Sequence, residues 1–182
     1  MNPQLHSAAT AQLGAWQTDD PGQNAVRHTM LAYLAVRADA CARACEAGHV
    51  TASALVLNHD RTQVLLTLHP RVGRWIQLGG HCEDGDGTLI DAALREAREE
   101  SGVDRLHIDP EVLHLDTHPV TCSLGVPTRH LDVRFLVRTE PGAEIVCSSE
   151  SVDLRWWPVH ALPESAAQDT VGEMVRLALA RS

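Results

Sequence analysis

Three glutamates, Glu96, Glu99 and Glu100, cluster within five consecutive residues near the middle of the chain. Glu96 and Glu100 are four residues apart, so on an α-helix they share one face, and Glu99 lies one step further round. Carboxylates this close repel one another unless a cation neutralises them. Mg²⁺ prefers oxygen ligands and often binds a few carboxylates together with water and substrate phosphates. The spacing therefore permits a magnesium site, but taken alone it favours an acidic surface patch paired with Arg95 and Arg98.

The helix that must position these carboxylates is predicted from about residue 88 to residue 101. Its apolar residues recur at helical spacing and form one stripe, which Glu96 and Glu100 flank. Gly102 follows directly, at the position where a helix C-terminus favours glycine. A glycine-rich loop over residues 79–87 leads into the helix. The stripe consists of Leu89, Ile90, Ala93, Leu94 and Ala97.

The remaining patterns predict an α/β fold. Short apolar or alternating runs indicate strands, and a helical repeat over residues 171–180 closes the chain. Strands mixed with helices on both sides are typical of a layered α/β/α domain. The strands are expected at residues 50–57, 63–69, 75–78, 112–117, 130–139 and 154–157.

The first quarter of the chain differs from the rest because its patterns predict only helices. An Asp-Asp-Pro-Gly break at residues 19–22 separates a short helix, expected at residues 6–16, from a longer one expected at 24–47. We therefore predict an N-terminal helical extension over residues 1–47 and a main domain over residues 48–182.

A longer motif surrounds the three glutamates. The run from Arg95 to Val103 resembles the second half of the Nudix hydrolase signature, Arg-Glu-hydrophobic-any-Glu-Glu-any-Gly-hydrophobic, and matches it at every specified position. Upstream, Gly80 and Asp86 are separated by the five residues that the first half of the signature requires. Asp86 stands where the family has Glu, and eight residues rather than seven separate it from Arg95. We interpret Gly87 as a one-residue insertion.

The resemblance extends on both sides of this motif, from about residue 48 to residue 181. Residues 51–57 and 64–66 resemble the opening hairpin of the family, residues 75–80 its approach to the motif, and residues 156–163 its closing strand and loop. The resemblance implies a Nudix-type α/β/α sandwich with a mixed β-sheet.

The family also implies roles for residues of the motif. Glu96, Glu99 and Glu100 are expected to bind Mg²⁺, which Mn²⁺ can replace, and Arg95 is expected to orient a carboxylate through a charge-assisted hydrogen bond. One carboxylate must accept a proton from the attacking water. Glu99 or Glu100 is one candidate, and Glu150 in a later loop is another, although Glu150 fits a solvated loop residue equally well.

The candidates for substrate binding lie outside the motif. Arg71 and Arg74 precede the strand at Trp75 and are placed to reach phosphates, while His118 and His130 lie on strands whose ends could face a cleft. Each of these residues, taken singly, also fits a structural role. The chain has no His-Glu-x-x-His spacing, so the sequence disfavours zinc.

Composition limits the partners and the compartment. The formal net charge is −9, which argues against binding to a nucleic acid polymer but not against a small phosphorylated substrate. The sequence shows no pattern of a membrane span or signal peptide. Five cysteines, an odd number with no Cys-x-x-Cys, favour a reducing compartment, and we expect the cytoplasm. Cys41, Cys45 and His49 recur every fourth residue, but packing near a helix end explains them better than a metal site.

Together these features predict a metal-dependent pyrophosphohydrolase that cleaves a phosphoanhydride bond. The expected substrate is a nucleoside diphosphate linked to another group, such as ADP-ribose or a related nucleotide. The alternative is a non-catalytic Nudix-like module that senses a nucleotide, although such a module has no need of the full carboxylate cluster. The resemblance also favours a homodimer.

Overall fold

A computed structural model describes residues 2–71, 73–121, 125, 127–148, 151–166 and 168–181. Helices α1 and α2 come first, and a third helix, α3, and a C-terminal helix, α4, are separated by strands. The helices are α1 (Pro3–Ala15), α2 (Pro21–Val36), α3 (Leu89–Ser101) and α4 (Gln168–Ala180). The strands are β1 (His49–Leu57), β2 (Gln63–His69), β3 (Arg74–Ile76), β4 (Leu78–His81), β5 (Leu106–Thr121), β6 (Pro127–Thr139) and β7 (Asp153–Pro158).

The strands form one mixed sheet around β1. Its central order is β3-β2-β1-β6-β5, with β4 paired to β1 and β7 paired to β2. The β1–β6 pair is parallel, and the other strand pairs are antiparallel. This arrangement confirms the α/β class and the mixed sheet that the sequence predicts.

The helices cover both faces of the sheet because alternate residues of β1 point to opposite sides. On one face, Ala52 and Ala54 pack in the apolar clusters that contain α3. On the other face, Leu55 and Leu57 pack in the cluster that contains α4. The layered α/β/α arrangement therefore follows from a strand that is buried on both sides.

The N-terminal helices share the main core. Leu5, Leu13, Met30 and Leu34 are fully buried in the same cluster as residues of β1, α3 and β6. Helix α2 ends at Val36, well before the predicted residue 47, because Arg37 turns back to bind Asp39 and the chain continues as a series of turns. The boundary at residue 47 stays a prediction, but the extension packs as part of one core.

Strands β5 and β6 are both longer than predicted. β5 runs from Leu106 to Thr121, and a bulge near Val112 absorbs its irregular register against β6. Because polar residues lie near both ends of β5, a search for apolar alternation does not detect its full length.

None of the helices in the described part of the chain has both the length and the apolar composition needed to cross a bilayer.

A buried ion pair lies on the sheet between β1, β5 and β6. Arg134 Nε donates to Asp132 at 2.7 Å, and its Nη2 donates to Asp116 at 2.9 Å. The hydroxyls of Thr51 and Ser53 donate to the same Asp132 carboxylate. Burial favours the neutral acid, yet the charge of Arg134 and these hydrogen bonds lower the pKa of Asp132. Asp132 is therefore ionised, and its charge is stabilised by Arg134 and by the hydroxyls of Thr51 and Ser53.

Replacing Arg134 with Met should destabilise the fold strongly, because Asp132 would stay buried without a cation. Breaking a buried pair in this way costs about 3–5 kcal/mol. Urea denaturation should show a large fall in the midpoint. Arg105→Met is the matched control, since that side chain is 79% exposed and binds only at the surface. Equal midpoints for the two variants would contradict a stabilising role for the buried pair.

Candidate active site

The three glutamates of α3 differ widely in exposure. Glu100 is buried, with 8% of the residue exposed. The side chain of Glu96 is 13% exposed and that of Glu99 is 59% exposed. Thr88 caps the start of the helix by accepting from Asp91 N, and Gly102 closes it in the left-handed conformation. The helix therefore carries three carboxylates whose exposure increases from Glu100 through Glu96 to Glu99. We call this set the carboxylate row.

Arg95 organises this row. Its Nη1 donates to Glu96 at 3.0 Å and to Glu99 at 3.1 Å. Its Nε and Nη2 donate to Asp86 at 3.2 and 3.1 Å, and Nη2 also donates to the carbonyl of His81 at 2.8 Å. Burial disfavours the charged guanidinium, but the hydrogen bonds to Asp86 and Glu96 outweigh it, so the pKa of Arg95 is raised above its usual range. One cation thus fixes several carboxylates.

Asp86 takes a defined place in the loop before α3. The residue is 4% exposed, and its carboxylate binds Arg95 through both oxygens. It also accepts from Glu83 N at 2.7 Å, which closes the loop around it. The N-terminal extension reaches the same loop, since Asn2 Nδ2 donates to the carbonyls of Asp84 and Asp86. Sequence reasoning missed this contact, because nothing local marks Asn2 as a loop partner.

Two glycines bring β4 against the carboxylates. Gly79 N donates to Glu100 at 2.9 Å. Gly79 has φ +144°, and a Cβ there would lie 2.5 Å from Ser53 Cα. A Cβ at Gly80 would lie 2.7 Å from the carboxyl group of Glu96. The strand backbone and two of the three glutamates are therefore in direct contact only because both positions are glycine.

The other predicted site residues are dispersed. Arg71 and Arg74 are exposed at the turn between β2 and β3. His118 Nδ1 donates to Asp116 at 2.7 Å and so belongs to the network of Arg134. Glu150 lies outside the described residues. The geometry brings Arg95 and the three glutamates together; the roles of the others stay predictions.

A histidine cluster lies on the sheet, and sequence reasoning did not bring its members together. His130 is predicted as a substrate contact, and His49 is considered only with Cys41 and Cys45. The rings of His49, His81 and His130 pack in tilted or edge-on contact with centroids 5.0 to 5.1 Å apart, and the His118 ring is 5.4 Å from that of His130. Burial, foremost, lowers the pKa of His81 to about 3 and that of His130 to about 4, and it also lowers the pKa of His49. The charges of Arg43 and Arg71 add to the shift at His81. The rings are therefore neutral near pH 7.

The fold and the carboxylate helix define a domain of the Nudix type, and comparison with known proteins agrees. The model of the NUDIX domain matches residues 48–177. The chain therefore belongs to the Nudix family, which confirms the family and hydrolase class that the motif predicts. No curated protein sequence matches the chain significantly.

Solved structures share the fold at low identity. A Nudix-family hydrolase from Clostridium perfringens is 21% identical, with a TM-score of 0.56 over 71% of this chain and 95% of that one. An Ap4A hydrolase from C. elegans is 20% identical, with a TM-score of 0.56 over 72% and 95%. The NUDIX domain of Shewanella oneidensis NrtR, solved with ADP ribose, is 21% identical, with a TM-score of 0.53 over 78% and 94%.

The chemistry of the donors fits the divalent cation that the family generally uses. The donors are carboxylates, which are hard ligands, and each is held by a hydrogen bond to Arg95 or to Gly79 N. Mg²⁺ binds through one or two carboxylates and completes its shell with water and phosphate oxygens, so it needs no closed protein cage. Glu96, Glu99 and Glu100 would hold such an ion.

Replacing Gly80 with Ala should weaken metal binding, because the new Cβ would displace the carboxyl group of Glu96. We expect the affinity for Mn²⁺, measured by electron paramagnetic resonance, to fall roughly ten- to a hundred-fold, as when the support of a metal ligand is lost. Gly85→Ala is the matched control in the same loop, since a Cβ there meets nothing within 4 Å. Equal affinities for both variants would show that Glu96 does not depend on this contact.

Proposed function

We propose that the protein is a Mg²⁺-dependent hydrolase that cleaves the phosphoanhydride bond of a nucleoside diphosphate linked to another group. ADP-ribose and related nucleotides are the first substrates to test. The observation that carries the proposal is the carboxylate row of α3, fixed by Arg95 and pressed against β4. Mn²⁺ is expected to substitute for Mg²⁺.

The side chains divide the work according to their exposure. Glu96 and Glu100 are held against β4 and would anchor the ion, whereas Glu99 is the most exposed of the three. When bound, Mg²⁺ neutralises charge on phosphoryl oxygens and lowers the pKa of the attacking water. Arg95 holds the carboxylates of Glu96 and Glu99 in place through hydrogen bonds. The general base that accepts the water's proton is Glu99, Glu100 or Glu150.

The substrate is small and phosphorylated. Arg71 and Arg74 form an exposed basic pair at the turn between β2 and β3. We expect these two cations to contact the phosphates of the bound substrate. The structure of the NrtR domain with ADP ribose supports a nucleotide of this class as ligand. The acidic chain, with net charge −9, is suited to a small ligand rather than a nucleic acid polymer.

Glu99→Gln and Glu100→Gln should fold normally but lose turnover, because each removes a charged ligand while keeping its size. We expect losses of about 10²–10³-fold in kcat/KM, in line with the several kcal/mol that metal ions contribute. The assay incubates the protein with Mg²⁺ and ADP-ribose, dinucleoside polyphosphates and nucleoside triphosphates. Release of products is followed by chromatography.

Glu83→Gln is the matched control, since that side chain is 66% exposed in the adjoining loop and only reaches Arg95 at 3.9 Å. Full activity in both Glu99→Gln and Glu100→Gln would overturn the metal assignment. If the wild-type protein binds one of these nucleotides tightly but cleaves none, the nucleotide-sensing alternative replaces hydrolysis. Isothermal titration with the same panel separates those outcomes.

A further inference from the structure

Three histidines from three different strands meet on one face of the sheet. His49 on β1 lies directly opposite His130 on β6, and His81 on β4 lies opposite Thr51, two residues along β1. Paired residues and residues two apart on a strand share a face, so the register itself brings the three side chains together. One ring nitrogen from each lies within 4.8 Å of the other two. In the described part of the chain, no other trio of His, Cys, Asp or Glu ligands is so compact.

The inner nitrogens of this trio lack partners. Nε2 of His49, His81 and His130 is buried and has no hydrogen bond among the described residues. A buried polar atom without a partner costs about 1–3 kcal/mol, so three at one place need a physical explanation. A shared cation that accepts three nitrogen lone pairs supplies one.

The ring of His49 is already oriented for such a role. Its Nδ1 lies 3.2 Å from the carbonyl of Cys45, which can only accept, so Nδ1 carries the proton and Nε2 carries the lone pair. Metal-binding histidines are commonly fixed in this way by a carbonyl behind the ring. The thiol of Cys45 is engaged elsewhere, 3.2 Å from Tyr33 Oη. The backbone of Cys45, not its sulfur, therefore supports the cluster.

We propose that His49, His81 and His130 bind a transition-metal ion, with Zn²⁺ as the first candidate. Zinc–imidazole bonds of about 2.0–2.1 Å in a tetrahedral site place the nitrogens roughly 3.3 Å apart. The nitrogens lie up to 4.8 Å apart, so binding of the ion requires the rings to rotate toward one another. The three neutral rings described above supply nitrogen donors, which suit zinc better than magnesium.

The described residues supply three ligands, so the proposal leaves the fourth position to an exchangeable ligand. Three protein ligands with one open position are typical of zinc sites that bind water or substrate, whereas structural sites use four protein ligands. Three neutral imidazole ligands leave the ion with its full positive charge, so an anion such as hydroxide or a phosphate oxygen suits the fourth position.

This site is separate from the carboxylate row. His81 points to the face of β4 that it shares with Thr51, whereas Gly80, its neighbour, faces Glu96 on α3. Adjacent residues of a strand face opposite sides of a sheet. The two sites also differ in donor type, imidazole against carboxylate, so they select different metals. The proposal stands whether or not the glutamates bind Mg²⁺.

The test measures metal binding rather than turnover. Protein without an affinity tag is stripped with chelator, supplied with Zn²⁺ and excess Mg²⁺, and passed through a desalting column. Mass spectrometric metal analysis should find about one Zn²⁺ per chain, the stoichiometry of a three-ligand site. Co²⁺ in place of Zn²⁺ should give the visible absorption of a tetrahedral ion. Absence of stoichiometric zinc would overturn the proposal.

Variants locate the ion. His49→Gln and His130→Gln should each weaken Zn²⁺ binding more than about a hundred-fold, a larger loss than that of a supporting group. His59→Gln, at an exposed turn, is the matched control, and Glu99→Gln should also retain zinc. Zinc that remains bound in both histidine variants belongs elsewhere and refutes the assignment.

A measurement on the wild-type protein avoids any loss of fold in the variants. Long-range ¹H–¹⁵N spectra of the imidazole rings should show three Nε2 resonances that shift when Zn²⁺ is added and return with chelator. Shifts confined to other histidines, or to none, would contradict the proposal. Inorganic phosphate added after zinc should perturb the same three resonances if the fourth ligand is an anion, and no perturbation would refute the open position.

Discussion

The geometry of the site depends on one partly buried guanidinium, that of Arg95. Arg95 contacts the loop through Asp86, the strand through the carbonyl of His81, and its own helix through Glu96 and Glu99. A guanidinium offers five donors in a rigid plane, so it can bind three elements at once. An ammonium group has fewer donors and no fixed plane. The attraction of Arg95 to these carboxylates offsets their mutual repulsion, which would otherwise destabilise the helix.

This arrangement requires α3 to lie very close to the sheet. The contact is made by small residues on both sides: Ala52 and Ala54 on β1, and Ala93 and Ala97 on α3, all fully buried. Short side chains reduce the distance between a helix and a sheet, so the glutamates at the edge of the helix reach the backbone of β4. The glycines of β4 complete the approach. The close packing of α3 on the sheet therefore determines where the carboxylates lie.

The N-terminal extension supports the part of the motif that departs from the family pattern. Asn2 caps α1 through its side-chain oxygen and uses its nitrogen to hold the carbonyls of Asp84 and Asp86. Gln23 on α2 similarly bonds to both the N–H and the carbonyl of Leu115. The contacts of Asn2 hold the loop before α3 against the N-terminal extension. Residues outside the recognised domain thus stabilise the site inside it.

Features that depend on local structure could be predicted from the sequence. Features that depend on how the strands pair could not. The bounds of α3, its cap and its glutamates follow from periodicity and from a contiguous motif, and the structure places them accordingly. The end of α2 coincides with a local contact between Arg37 and Asp39 that helical periodicity does not detect. The length of β5 depends on its pairing with β6, which no window of sequence contains. The histidine cluster is the extreme case, because its members are 32 and 49 residues apart along the chain and no spacing rule for a single helix or loop applies. Only the pairing of β1 with both β4 and β6 aligns them, so a site built across strands becomes visible once the register is known.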